Sequence, residues 1–308
     1  MSLSNTLLLG FIAGVTILAG LPIGRLRKPA PSLRILLNAI AVGILLFLVW
    51  DVFSHAWEPL DAALIAVHED TGGLGPVFGY GLLFIGGLSV GLLSLVAYER
   101  MMTRSAARST QRVGPGAMSA VEADRLGRRG VASWSSARQL ALMIAIGIGL
   151  HNFAEGLAIG QSAAAGEVAL ATLLVIGFGL HNATEGFGIV APLAAESAAT
   201  ESSTPALTGG PEAASAGVDN RPSWRFLLLM GAIGGGPTFL GTLIGHGFTS
   251  AAVSVLFLTL AAGSILYVVV QLLGVAAKAK RPDLLAYGLL IGLVAGFVTD
   301  AIVTAAGA

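Results

Sequence analysis

The chain has no cysteine among its 308 residues, which excludes disulfides and thiolate metal ligands together. Any metal site must therefore draw on nitrogen and oxygen donors. Charge is also scarce: 11% of residues are Asp, Glu, Lys or Arg, against roughly a quarter in an average soluble domain. So little charge cannot coat a water-facing surface. Formal net charge is zero, which gives no footing for nucleic-acid binding. Mean hydropathy is +0.83, and the 42 glycines lie among Leu, Ile, Val and Ala rather than in polar linkers. Small residues at that density suit membrane helices that approach closely. The composition predicts an all-α, polytopic membrane protein, multi-pass in a cell membrane of prokaryotic type, with the lipid bilayer as its solvent.

Apolar runs long enough to cross a bilayer, about 20 residues each, lie near 3–24, 34–58, 74–98, 138–162, 167–194, 224–247, 251–277 and 284–306. They predict eight transmembrane helices in one domain spanning 1–308. The connections alternate in basic charge. The first carries Arg25, Arg27, Lys28 and Arg34, and the third carries eight arginines from Arg100 to Arg138. The fifth has Arg221 and Arg225, and the seventh has Lys278, Lys280 and Arg281. These make up all seventeen basic residues, and the even connections hold none. By the positive-inside rule the odd connections are cytoplasmic and both termini extracytoplasmic. No basic segment precedes the first run, so it reads as a retained helix rather than a cleaved signal.

Two cytoplasmic connections are long: an Arg-rich loop at 100–137, with a short amphipathic stretch near 118–129, and a flexible Ala/Ser/Thr/Gly/Pro-rich loop at 196–223. The outer connections carry Asp61, His68, Glu69, Asp70 and Glu167, and His246 sits at the rim. That excess of negative charge either concentrates cations at an entrance or is a solvated acidic surface.

The chemistry lies in a repeat. Gly147-Ile148-Gly149-Leu150-His151-Asn152-Phe153-Ala154-Glu155-Gly156 recurs thirty residues on as Gly177-Phe178-Gly179-Leu180-His181-Asn182-Ala183-Thr184-Glu185-Gly186. Each copy sits inside an apolar run, where ionisable groups are costly and are kept chiefly for function. His and Glu at i and i+4 share a helix face, about 6 Å apart along the axis. Neighbouring antiparallel helices carrying this pattern gather His151, Glu155, His181 and Glu185 at mid-depth. No Lys or Arg lies within a span, away from its ends. Two carboxylates and one divalent cation sum to zero charge, and the donor set suits Zn²⁺, with Fe²⁺ or Mn²⁺ behind it. Helix–helix hydrogen bonding by protonated glutamates is the alternative.

Asn152 and Asn182, about 100° around the helix from each His, either donate amide oxygens to an adjacent ion position or hydrogen-bond between helices. Asp51 and His55, with Glu58 near the outer end of the second span, form part of a conduit or an interfacial ion pair. Gln161, Gln271 and Asp300 read as helix–helix hydrogen-bonding groups.

With these residues in view, the chain resembles the ZIP (Zrt/Irt-like) family of divalent-metal transporters. His151-Asn152-Phe153-Ala154-Glu155-Gly156-Leu157-Ala158-Ile159-Gly160 is similar to the family's fourth-helix signature H-N-x-P-E-G-x-A-x-G, and His181–Gly186 takes the fifth-helix position. Asp51-x-x-x-His55 is similar to a second-helix pattern of one branch. The resemblance implies a ZIP-like bundle, a homodimer, metal import toward the cytoplasm, and a unit of helices one, four, five and six moving against the rest in an elevator-like step. It also implies a primary site of His151, Glu155, His181 and Glu185, and a secondary one lined by Asn152 and Asn182.

The chain departs from the family pattern at Ala154 and Thr184 (usually proline), at Asn182 (often a carboxylate), at Gly236 (often Glu before Pro237) and at Gln271-Leu272 (often His-Glu). Carboxylates missing around the secondary site predict one tightly held ion. Two other functions compete: an intramembrane zinc-dependent hydrolase, and a metal sensor without transport. The twinning of the motif favours a transporter, not an enzyme, with the metal as substrate.

Overall fold

In hydrocarbon a backbone must satisfy its own N–H and C=O groups, which leaves apolar runs of this length little choice but helix. A computed structural model describes residues 1–22, 31–110, 131, 134–203, 222–278 and 280–306. Among them are eight α-helices and no strand: α1 (Leu3–Val15), α2 (Pro31–His68), α3 (Leu74–Thr110), α4 (Ser136–Ala165), α5 (Val168–Ser203), α6 (Trp224–Gly245), α7 (Ala251–Lys278) and α8 (Pro282–Ala305). Seven of them, α2 to α8, are long and apolar enough to span a membrane. The first apolar stretch is α-helical only as far as Val15 and passes into a 3₁₀ turn at Thr16–Ala19, which leaves it shorter than the other seven among the described residues.

Serines at the starts of α1, α4 and α6 hold the free N–H groups: Ser2, Ser135 and Ser223 accept from the backbones of Asn5, Arg138 and Phe226. The second helix continues ten residues past the expected boundary at 58, through Pro59 to His68. Asp61 and His68 are therefore helical, and the connection between α2 and α3 is shorter than expected. Helices α3 and α5 run on to Thr110 and Ser203. The remainder of the two long connections expected to be cytoplasmic, with the stretch near 118–129, lies outside the described residues.

The turn between α4 and α5 decides the geometry of the site. Gly166 closes α4 in the left-handed region at φ 94°, and the Glu167 N–H returns to the Ser162 carbonyl. Glycine carries no Cβ penalty there. A link this short folds α5 back along α4, antiparallel and in contact.

Glycines also set which helices sit backbone to backbone. A Cβ on Gly156 or Gly160 of α4 would strike the Thr238 or Thr242 carbonyl of α6, and one on Gly241 would strike Phe153. Gly14 of α1 faces Gly235 of α6, and Gly186 of α5 faces Ile17 and Gly20 beyond α1. These seams join α1, α4, α5 and α6. A second set joins α2 to α8 through Gly43 and Gly292, and α3 to α7 through Gly91 and Gly263.

Between the two sets the glycines meet only side chains: Gly147 of α4 meets Tyr98 of α3, and Gly177 of α5 meets Leu48 of α2. The surface between the sets is otherwise an apolar cluster. Leu45, Leu48 and Val52 of α2 and Leu258 and Ile265 of α7 pack with Ala158 of α4 and Leu174 and Phe178 of α5.

Candidate metal site

His151 stands fifteen residues before Gly166, and His181 fifteen after it. At about 1.5 Å per residue both arms reach roughly 22 Å from the turn, so the imidazoles meet at one depth, ring centroids 6.0 Å apart. Ligand atoms of His151, Glu155 and His181 lie within 4.8 Å of one another, all buried. Glu185 completes the group, with Oε1 2.7 Å from His151 Nε2 and 2.8 Å from His181 Nε2. Both are close approaches of one carboxylate oxygen to an imidazole nitrogen, and the first is a hydrogen bond only when His151 Nε2 carries a proton.

The four are almost fully enclosed: Glu155 and His181 are at 0% exposure, His151 at 3% and Glu185 at 8%. The Gly147 carbonyl, 3.3 Å from His151 Nδ1, takes that N–H and leaves Nε2 facing the carboxylates, the usual arrangement for a metal-ligating imidazole. Both Glu155 oxygens and Glu185 Oε2 have no protein partner. Buried carboxylate oxygens without donors are expensive, and a divalent cation between two imidazoles and two carboxylates is the partner their chemistry fits.

Asn152 and Asn182 bind neighbouring helices. Asn152 Nδ2 donates to the Gly234 carbonyl of α6, and Asn182 Nδ2 to the Ala13 carbonyl of α1, each at 2.9 Å. Helix–helix bonding is thus one of their roles, while both Oδ1 atoms remain buried without a partner. In α6, Pro237 removes the N–H that would meet the Ile233 carbonyl, and that carbonyl lies against Gly149.

The second-helix residues form a separate cluster. Asp51 is 4% exposed with Oδ2 unpartnered. His55 Nδ1 is 3.7 Å from Asp51 Oδ1 and 3.0 Å from the Asp51 carbonyl. Asp300 of α8 and Glu58 both lie close enough to interact with the Asp51 charge, so Asp300 is not the isolated polar group its flanking sequence suggests. Gln271 is likewise engaged: with Tyr267 it donates to Glu99 of α3, at 3.0 and 2.7 Å. Sequence reasoning passed over Thr238, whose fully buried hydroxyl has no partner. A threonine amid glycines carries no signal until its neighbours are known.

No family model matches the chain. It is similar to two curated relatives, both named Zinc transporter ZupT and both from Salmonella paratyphi A, at 28% identity over 164 residues. The match covers 53% of this chain and 52% of each relative, so the chain spans about half the length of the curated relatives it matches. The paired His-Asn-x-x-Glu-Gly motifs, the spanning helices and this similarity agree: the chain resembles the ZIP family of metal transporters.

Proposed function

We propose that this chain moves a divalent metal ion, Zn²⁺ first and Fe²⁺ or Mn²⁺ next, across the membrane toward the cytoplasm through His151, Glu155, His181 and Glu185. One observation carries the reading: two carboxylates, three of whose four oxygens lack a protein donor, are buried midway along apolar helices beside two imidazoles. The name of the curated relatives supports zinc as the substrate. Metal bound there brings the site to zero net charge, so the loaded site can cross apolar surroundings far more cheaply than a charged one.

The motion is of the elevator kind. Helices α1, α4, α5 and α6 are stitched by backbone-close glycine seams, and so are α2 with α8 and α3 with α7, while the surface between the sets is side chain on side chain. That division supports one rigid body carrying the site past another. Asp51, His55, Glu58 and Asp300 line the ion's route on the stationary side. Both termini lie outside, and the chain works as a homodimer whose apolar outer faces on α3 and α8 are available for pairing.

The test is time-resolved ⁶⁵Zn uptake into proteoliposomes, with Glu155→Ala and Glu185→Ala beside the parent. Uptake by the parent that both variants abolish is the expected result. Binding without flux in the parent would point instead to a sensor, and metal-dependent cleavage of a lipid or peptide to a hydrolase.

A further inference from the structure

A groove of about 310 Å³ runs between α1 and α6. It opens outward: Phe11 and Leu228, which line it, are 55% and 54% exposed. Its cause lies in the sequence. Gly14 and Gly235 bring the two backbones together along one seam, where a Cβ on either would strike the other's carbonyl. Beside that seam Gly10, Gly231, Ala232 and Gly236 have too little side chain to fill the space. A Cβ on Gly236 would meet nothing within 4 Å. Every lining residue is apolar, so a water there finds no partner, and an empty trough forfeits dispersion contacts on its open side.

Length and charge together say what fills it. The α6 wall of the groove runs from Leu228 to Phe239, eleven residues or about 16 Å. That is half of the roughly 30 Å hydrocarbon core, within a helix that is apolar from Trp224 to Gly245. A trough one leaflet deep fits an acyl chain and covers only half of what a partner's spanning helix would need. At its end stands a cation. Arg225 is exposed and lies three residues before Leu228, on the stripe that continues through Ala232, Gly236 and Phe239. Its side chain tilts toward the helix N-terminus, out of the apolar run and into the headgroup layer. No carboxylate pairs with it among the described residues. Exposed Trp224 beside it has the interfacial position that indole rings favour.

The geometry points to a lipid site: the groove between α1 and α6 takes one acyl chain of an anionic phospholipid, and Arg225 pairs with that lipid's phosphate. The lipid comes from the leaflet on the Arg225 side, the one expected to be cytoplasmic, where anionic headgroups and basic side chains attract each other. Guanidinium and phosphate match in a two-pronged hydrogen-bonded pair. The faces proposed for pairing of two chains lie on α3 and α8, so the dimer leaves this groove to lipid.

Native mass spectrometry of the purified chain, titrated in detergent with dioleoylphosphatidylglycerol or dioleoylphosphatidylcholine, tests this. One phosphatidylglycerol per chain should be held about fivefold more tightly than phosphatidylcholine, the worth of one basic side chain at an anionic surface. Arg225→Gln should erase that preference and Arg225→Lys keep it. Arg104→Gln, which alters an exposed arginine of α3 away from the groove, should leave it whole. Ala232→Phe sets a ring in the trough and should release both lipids, with zinc binding as in the parent. Equal retention of the two lipids by the parent, or a preference that survives Arg225→Gln, overturns the phosphate contact. Retention that survives Ala232→Phe overturns the acyl groove, and a dimer that this variant splits gives the groove to a second copy and overturns it too. If Ala232→Phe does not fold, the surface variants at Arg225 decide.

Discussion

Replacing Glu155 by glutamine should move metal affinity and metal-free stability in opposite directions. The substitution keeps shape and removes one charge. With Zn²⁺ bound, the parent site balances at zero, whereas Glu155→Gln leaves one positive charge buried at mid-membrane. Taking about 2.5–3.5 kcal/mol for such a charge and tenfold per 1.36 kcal/mol, zinc should bind roughly 70- to 400-fold more weakly. Without metal the sign reverses. Both Glu155 oxygens are fully buried with no donor in the protein, so a neutral amide relieves an unpaired group and should raise the unfolding temperature in metal-free detergent. The assay is thermal unfolding with and without zinc, alongside ⁶⁵Zn binding. A variant destabilised without metal yet still protected by zinc like the parent would mean that Glu155 has an ordinary structural partner and is not a ligand.

Three further outcomes follow from the same geometry. Imidazole and carboxylate ligands bind metal only when deprotonated, so protons compete with zinc: binding should be fullest near neutral pH and fall as pH drops toward 5, and uptake that rises over that interval would contradict the site. Tyr98 of α3 donates to the Met143 carbonyl of α4 across the surface between the two helix sets. A bond worth about 0.5–1.5 kcal/mol makes Tyr98→Phe lower the ratio of this arrangement to its alternatives by a factor of roughly 2–12. Accessibility of single engineered cysteines, introduced into a chain that has none of its own, should report that shift with zinc affinity unchanged. Gly156→Ala drives a methyl into the Thr238 carbonyl and should destabilise by about 1–3 kcal/mol, whereas Gly188→Ala, with nothing within 4 Å, should be neutral in the same thermal unfolding assay.

Much of this was readable from the chain because the informative residues are local. His151 and Glu155 are four apart, their copies are thirty residues on, and a carboxylate in an apolar run stands out against its neighbours. What escaped was relational. Thr238 stands out only once the helices around it are in place, because its hydroxyl is then fully buried without a partner. The glycine seams are invisible singly, since Gly156 and Gly188 look alike until α6 is laid against one and not the other. The boundary expected near 58 fell short because hydropathy drops there; α2 absorbs Pro59, which costs a helix one N–H and crowds the carbonyl four back, and continues to His68. The alternation of basic charge pointed to eight crossings, and among the described residues seven helices have the length and apolarity to make one.

The sharp reversal at Gly166 makes the two histidines partners by counting. Each arm is fifteen residues, and nothing in the apolar stretches between requires a particular side chain to keep the pair level. One residue inserted into either arm would advance a histidine about 1.5 Å and swing it roughly 100° around its axis, carrying it off the shared face. Substitution among Leu, Ile, Val and Ala in these arms should therefore be tolerated far better than any change in their length.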